Sequence, residues 1–194
     1  VRLMDKPASY DGGISHLFKR AEQAANVGRE ISLQYTHAHI RYIEAMAKLG
    51  KANEAWNSLF VINPVLIQHS YAENFHLLKT GKIDVKGGWR LYSSGPGIYL
   101  RQLIANVLGI RFDKKGLILD PVLPVELDGL TFSYDCYGRT FYFQYCISGN
   151  TDIYAEDEKG NISVEQLSNP YRRGGLLIPK EVLENCSDTI KIYI

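Results

Sequence analysis

The hydrophobic period changes once along the chain, near Arg111, and that change constrains the fold more than any other feature. Before it, apolar residues recur three and four apart. After it, they alternate. A period near 3.6 makes an amphipathic helix and a period of 2 makes a half-buried strand. A chain that switches once places its helices in one part and its strands in another. The reading is α+β, with residues 1–111 helical and residues 112–194 forming an antiparallel β sandwich or jelly roll.

The helical part holds about four helices. In GGISHLFKRAEQAANVG, Ile14, Leu17, Phe18, Ala21 and Ala25 share one face. THAHIRYIEAMAKL predicts a second helix from Thr36 to Leu49, with Ile40, Ile43 and Ala47 on its apolar face and Gly50 ending it. Asn53 is placed to cap a third, EAWNSLFVI, which stops at Asn63-Pro64. The short link from Leu49 to Asn53 makes these two an antiparallel hairpin. AENFHLLKTG reads as a short helix and KTGKIDVKGG as loop. A fourth helix carries Ile98, Leu103, Ile104, Val107 and Leu108 and ends at Gly109, with Pro96 in its first turn and Ser94 or Gly95 as cap.

In the β part, LTFSYDCYGRTFYFQYCI is a hairpin signal turning at Tyr137-Gly138. DIYAEDEKGNISV reads as a second hairpin around Lys159-Gly160-Asn161, and TIKIYI as a closing strand. The alternating tyrosines Tyr134, Tyr137, Tyr142 and Tyr145 suit a core face and a solvent face better than a carbohydrate-binding surface.

Bulk properties bound the partners. The chain has 194 residues, enough for one large domain or two small ones, and a formal net charge of +1. Such a balance gives no electrostatic reason to expect nucleic acid or a membrane surface. No apolar run reaches the roughly 18 residues of a membrane helix, and no signal peptide is evident. Cys136, Cys146 and Cys186 are an odd number without metal-ligand spacing, and they read as free thiols of a reducing compartment. The first residue is Val1 rather than Met, which is read as a removed leader or a longer polypeptide.

Two stretches could carry chemistry. In GGWRLYSSGPGIY, Trp89, Ser93, Ser94, Gly95 and Gly97 stand where the fourth helix begins. Helix N-termini present unpaired N–H groups and a partial positive charge, so they attract anions, and glycines allow close approach to the backbone. No Lys-Ser/Thr follows the last glycine, so this is not a nucleotide P-loop. A purely structural cap explains the same residues. In QYTHAHIRY, His37 and Arg41 are four apart and share a helix face with Thr36 as cap, while His39 points elsewhere. A His and an Arg at such a terminus suit a phosphate; HxH alone does not make a metal site. Two surface histidines on an amphipathic helix are the plain alternative.

YTHAHIRYIEAMAKLG and GGWRLYSSGPGIYLRQLIANVLGIRFDKKGLILDPVLP, in that order, resemble the C-terminal portion of inverting glycoside phosphorylases, glycoside hydrolase family 94. The resemblance runs from about Gly12 to Ile147. It implies a partial (α/α)6 barrel followed by a C-terminal β domain, in a cytoplasmic enzyme that is homodimeric at full length. It further implies reversible phosphorolysis of a β-linked gluco-oligosaccharide with inversion, inorganic phosphate as co-substrate, and no other cofactor or metal. By the resemblance His37 matches a phosphate-binding His, and Ser93, Ser94 and Gly95 match a hydroxyl-glycine phosphate loop. Here SSG replaces the commoner Thr-Gly-Ser/Thr, which leaves open which serine donates. Read from the residues, Arg41 and Trp89 are candidate sugar or phosphate contacts, with a packing role the plain alternative for Trp89. The catalytic acid and the phosphate Arg of the family lie upstream of YTHAH, so no catalytic residue is expected within this chain. The connection from Val65 to Lys86 is shorter than the family's usual one. Two other readings remain: a helical-hairpin interaction module, since YIEAMAKLGKANEAWNSLFVINP loosely resembles one tetratricopeptide repeat, and a carbohydrate-binding β module.

Overall fold

A computed structural model describes residues 36–63, 94–150 and 152–194. The first predicted helix and the segment around AENFHLLKTG lie outside the described residues. The described residues divide into two compact units. One contains 36–42, 58–63 and 94–99; the other contains 43–57 and 100–194.

Helix α1 spans Thr36–Lys48 and α2 spans Ala52–Val61. The α1 stripe is the predicted one: Ile40, Ile43 and Ala47 are buried. Gly50, with φ 72°, ends it. Its N–H bonds the Ala47 carbonyl and the Lys51 N–H bonds the Met46 carbonyl, the paired closure that satisfies a helix C-terminus. The expected cap at Asn53 is not realised. The first α2 bond runs from Ala55 N–H to the Lys51 carbonyl, so Lys51 takes the cap position and Asn53 falls inside the first turn. The closure around Gly50 leaves no residues for a longer link.

Helix α3 spans Ser94–Arg101 and continues as a π-helical segment, Gln102–Val107. The apolar spacing in this stretch reads as ordinary α-helix, and the structure corrects it to a widened turn. Its last bond joins Leu108 N–H to the Leu103 carbonyl at 2.8 Å, five residues back. Gly109 follows with φ 75°.

The second unit is built on two sheets. The four-stranded sheet has the order β1 (Ile110–Phe112), β2 (Gly116–Leu119), β8 (Leu176–Pro179), β7 (Glu165–Gln166). The five-stranded sheet has the order β3 (Thr131–Cys136), β4 (Arg139–Cys146), β9 (Thr189–Tyr193), β5 (Tyr154–Asp157), β6 (Gly160–Asn161). A short helix α4, Lys180–Asn185, leads from β8 toward β9 and packs on β2 and β8. The two predicted hairpins and the closing strand are present. The expectation of a wholly antiparallel sheet is corrected at one place: β9 runs parallel to β4, Phe143 pairing with Ile190 and Tyr145 with Ile192. Parallel neighbours need a long crossover, and everything from Ile147 to Asp188 lies between them.

Tyr137 and Gly138 both have positive φ, 51° and 78°, which gives the β3–β4 turn the twist a two-residue hairpin needs. Alternation then sends Phe141, Phe143 and Tyr145 fully inside and Tyr142 outside. Each buried aromatic contributes about 2–3 kcal/mol of apolar burial. Tyr145 also donates its hydroxyl to the Leu108 carbonyl at 2.9 Å, and burial holds its phenol far above the ordinary range.

Gly109 sits where the helical segment turns into β1. A Cβ there would meet the Asp120 carbonyl carbon at 2.2 Å, and φ is already in the left-handed region. Gly109→Ala is therefore expected to destabilise the fold by more than about 1 kcal/mol in urea unfolding. Gly129→Ala, equally left-handed but with nothing within 4 Å of the added methyl, should cost distinctly less.

Candidate functional site

α1 starts at Thr36, so His37 is in its first turn and Arg41 one turn on. Both are exposed. His39 is not a second surface histidine. It is 6% exposed, and its Nε2 lies 2.8 Å from the Ser58 carbonyl of α2. A carbonyl only accepts, so Nε2 carries the proton. Its ring also lies 6.1 Å from that of Tyr42. Burial lowers the His39 pKa, against the opposing effect of the Ser58 hydrogen bond. His39 thus fastens α1 to α2, while His37 remains at the solvent.

Ser94 and Gly95 both lie within α3 as described, so neither stands as its cap. Ser93 and Trp89 lie outside the described residues. His37 and Ser94 each occupy the first turn of a helix, and both belong to the same compact unit.

One residue of this region went unnoticed in the sequence. Gln102 is fully buried, its Oε1 accepting from Asn106, and its Nε2 has no hydrogen-bond partner among the described residues. Nothing in the apolar stripe around it signals that burial. Of the tyrosines considered for a carbohydrate face, Tyr145 is core and Tyr142 is 53% exposed, on opposite faces of β4.

Beyond α3, a buried carboxylate organises the second unit. Asp120 is 6% exposed and takes Arg111 Nη2 on Oδ2 at 2.8 Å and Arg172 Nη1 on Oδ1 at 2.7 Å. Arg172 Nε donates to the Ala47 carbonyl in the last turn of α1, and Arg111 Nη1 to the Ala105 carbonyl of the π-helical segment. Cys136, Cys146 and Cys186 are free thiols, whose pKa values burial raises. No described helix is long and apolar enough to cross a membrane.

Residues 109–193 match the family described as the glycoside phosphorylase C-terminal domain. The chain is 48% identical, across 98% of its length, to a 1,2-beta-oligoglucan phosphorylase of Listeria innocua, and spans 20% of that protein. It is 31% identical, over 58% of its length, to a cyclic beta-(1,2)-glucan synthase of Rhizobium meliloti, of which it spans 4%. The first alignment runs over 220 positions, more than this chain has, so the relative carries additional residues within the matched stretch.

The lowered His39 pKa has a consequence for stability. The unfolded imidazole, near 6.5, binds its proton before the folded one does as pH falls. The stabilisation from neutral, buried His39 is present above that value and is lost as pH drops through it toward the folded pKa. Urea midpoints should therefore fall between about pH 7 and the lower folded pKa, and His39→Gln should flatten that dependence. An equal slope in the variant would assign it to other groups.

Proposed function

We propose, on the premise that residues 109–193 belong to the glycoside phosphorylase C-terminal domain family, that the chain is the C-terminal portion of an enzyme of reversible, inverting phosphorolysis. The substrate is a β-1,2-linked gluco-oligosaccharide and the product a sugar 1-phosphate. What carries this reading is the 48% identity across nearly the whole chain to a 1,2-beta-oligoglucan phosphorylase. The second relative, though named a synthase, is also named for a β-1,2-glucan. Phosphorolysis is favoured over synthesis because the phosphorylase match is both closer and longer.

In this reading the helices before Gly109 are the last part of an (α/α)6 barrel, and the two sheets are its C-terminal domain. Inorganic phosphate replaces water as the nucleophile at the anomeric carbon, and a carboxylic acid outside this chain protonates the leaving oxygen. Phosphate must be held against that carbon and stripped of its own hydration. His37, in the first turn of α1, and the Ser93–Gly95 segment at the start of α3 supply donors and two positive helix ends. Arg41, one turn from His37, adds a charge-assisted donor, and Trp89 a ring for sugar stacking. Phosphate and oligosaccharide are the only partners this chemistry requires; the enzyme works as a cytoplasmic homodimer.

The intact polypeptide is expected to release glucose 1-phosphate from β-1,2-gluco-oligosaccharides and phosphate. His37→Ala should cost roughly 1.5–3 kcal/mol, about 10- to 150-fold, chiefly in phosphate use rather than sugar binding. Ser94→Ala should cost less, since it removes one neutral donor. The 194-residue chain alone should release nothing. Product from the isolated chain, or a His37→Ala enzyme with unchanged dependence on phosphate, would contradict the reading.

A further inference from the structure

The second unit has a cavity of about 270 Å3 to which the phosphorolysis reading assigns nothing. Part of its lining is apolar, from Val122, Leu123 and Ile147. The polar lining side chains are those of Asn150 and the adjacent Arg172 and Arg173, and Ile194 also borders the cavity. No Asp or Glu side chain lines it among the described residues.

The two guanidiniums are held in place from behind. Arg172 spends Nε on the Ala47 carbonyl at 3.1 Å, and Nη1 on Asp120 Oδ1 at 2.7 Å and the Arg173 carbonyl at 2.8 Å. Its Nη2 makes no hydrogen bond among the described residues. Arg173 spends Nη1 on the Asn150 carbonyl at 2.6 Å, which leaves its Nε and Nη2. Charge is in surplus as well. Asp120 is shared between Arg172 and Arg111, and Arg173 has no carboxylate partner among the described residues. Among these side chains three guanidiniums face one carboxylate, which pairs with two of them.

Arginine forks fit phosphate oxygens in pairs, and a fork already fixed by other bonds loses little freedom when it takes an anion. The apolar part of the lining suits the C–H face of a sugar ring, and the volume exceeds what a bare phosphate needs. We propose that this cavity binds a phosphate-bearing anion through the unused edges of Arg172 and Arg173, the anion being inorganic phosphate or a sugar 1-phosphate. The phosphorolysis reading enters only in the choice of phosphate over other anions.

Arginine labelling of the intact polypeptide by phenylglyoxal, followed peptide by peptide in a mass spectrometer, tests this without turnover. Exposed Arg173 should react about ten-fold more slowly with ligand at about ten times its Kd. Arg101, also exposed, should be unaffected and serves as the control. Equal protection by inorganic phosphate and glucose 1-phosphate identifies the anion alone; stronger protection by the ester places the sugar in the cavity. In the exposed-site variant Arg173→Glu, protection of Arg172 should be lost.

Unchanged labelling at Arg173 overturns the proposal. So does equal protection by sulfate or chloride at matched ionic strength, which would mean an adventitious ion only. If phosphorolysis is absent while Arg173 is still protected, the functional reading fails and the anion site stands. If phosphorolysis is present and Arg173 is unprotected, the site fails alone.

Discussion

A carboxylate at Asp120, almost out of water and gripped by two guanidiniums, is the constraint on which the second unit depends. An unpaired charge buried at this depth would cost several kcal/mol, so both oxygens must be met. Meeting them fixes more than the ion pair. Arg111 comes from β1 and also caps the Ala105 carbonyl of the widened helix. Arg172 comes from the segment before β8 and also caps Ala47 at the end of α1. One side chain thus registers a helix end, a π-helical segment and two strands of one sheet. Gly109 follows from the same crowding, since its α-carbon lies against the Asp120 backbone with no room for a methyl.

The widened segment has a physical reason in the same place. Gln102 and Val107 are both buried, five residues apart, and the Leu103–Leu108 bond spans that same interval. An α-helix would turn those two side chains further apart than a π-helical turn does. The fully buried Gln102 is tied to Asn106 one turn on, which keeps its amide in register along the widened stretch.

Much of the fold was legible because its signals are local. The α1 stripe, the Gly50 stop and the β3–β4 alternation each follow from a few adjacent residues, and each is where the spacing puts it. β1, β2 and β8 carry no such local signal. Gly116–Leu119 and Leu176–Pro179 are short apolar runs buried with no alternation, so period gives nothing to detect. The parallel pairing of β9 with β4 depends on a partner more than 40 residues away, which no local pattern encodes. At the candidate site, the four-residue spacing correctly put His37 and Arg41 on one face. The burial of His39 depends on the Ser58 carbonyl of another helix, so it could not be seen from THAH alone. Of SSGPG, Ser94 to Gly97 are helical, and Ser93 lies outside the described residues.

The central claim is that His37 and the Ser93–Gly95 segment hold one phosphate between two helix N-termini. A crystal structure of the intact polypeptide with inorganic phosphate and a β-1,2-gluco-oligosaccharide tests it most directly. The account requires a phosphate within about 3 Å of the His37 imidazole and of donors from Ser93, Ser94 or Gly95, in line with the anomeric carbon. A phosphate bound at the reacting sugar with His37 turned to bulk solvent would contradict it, and would leave SSGPG as the start of a helix and nothing more.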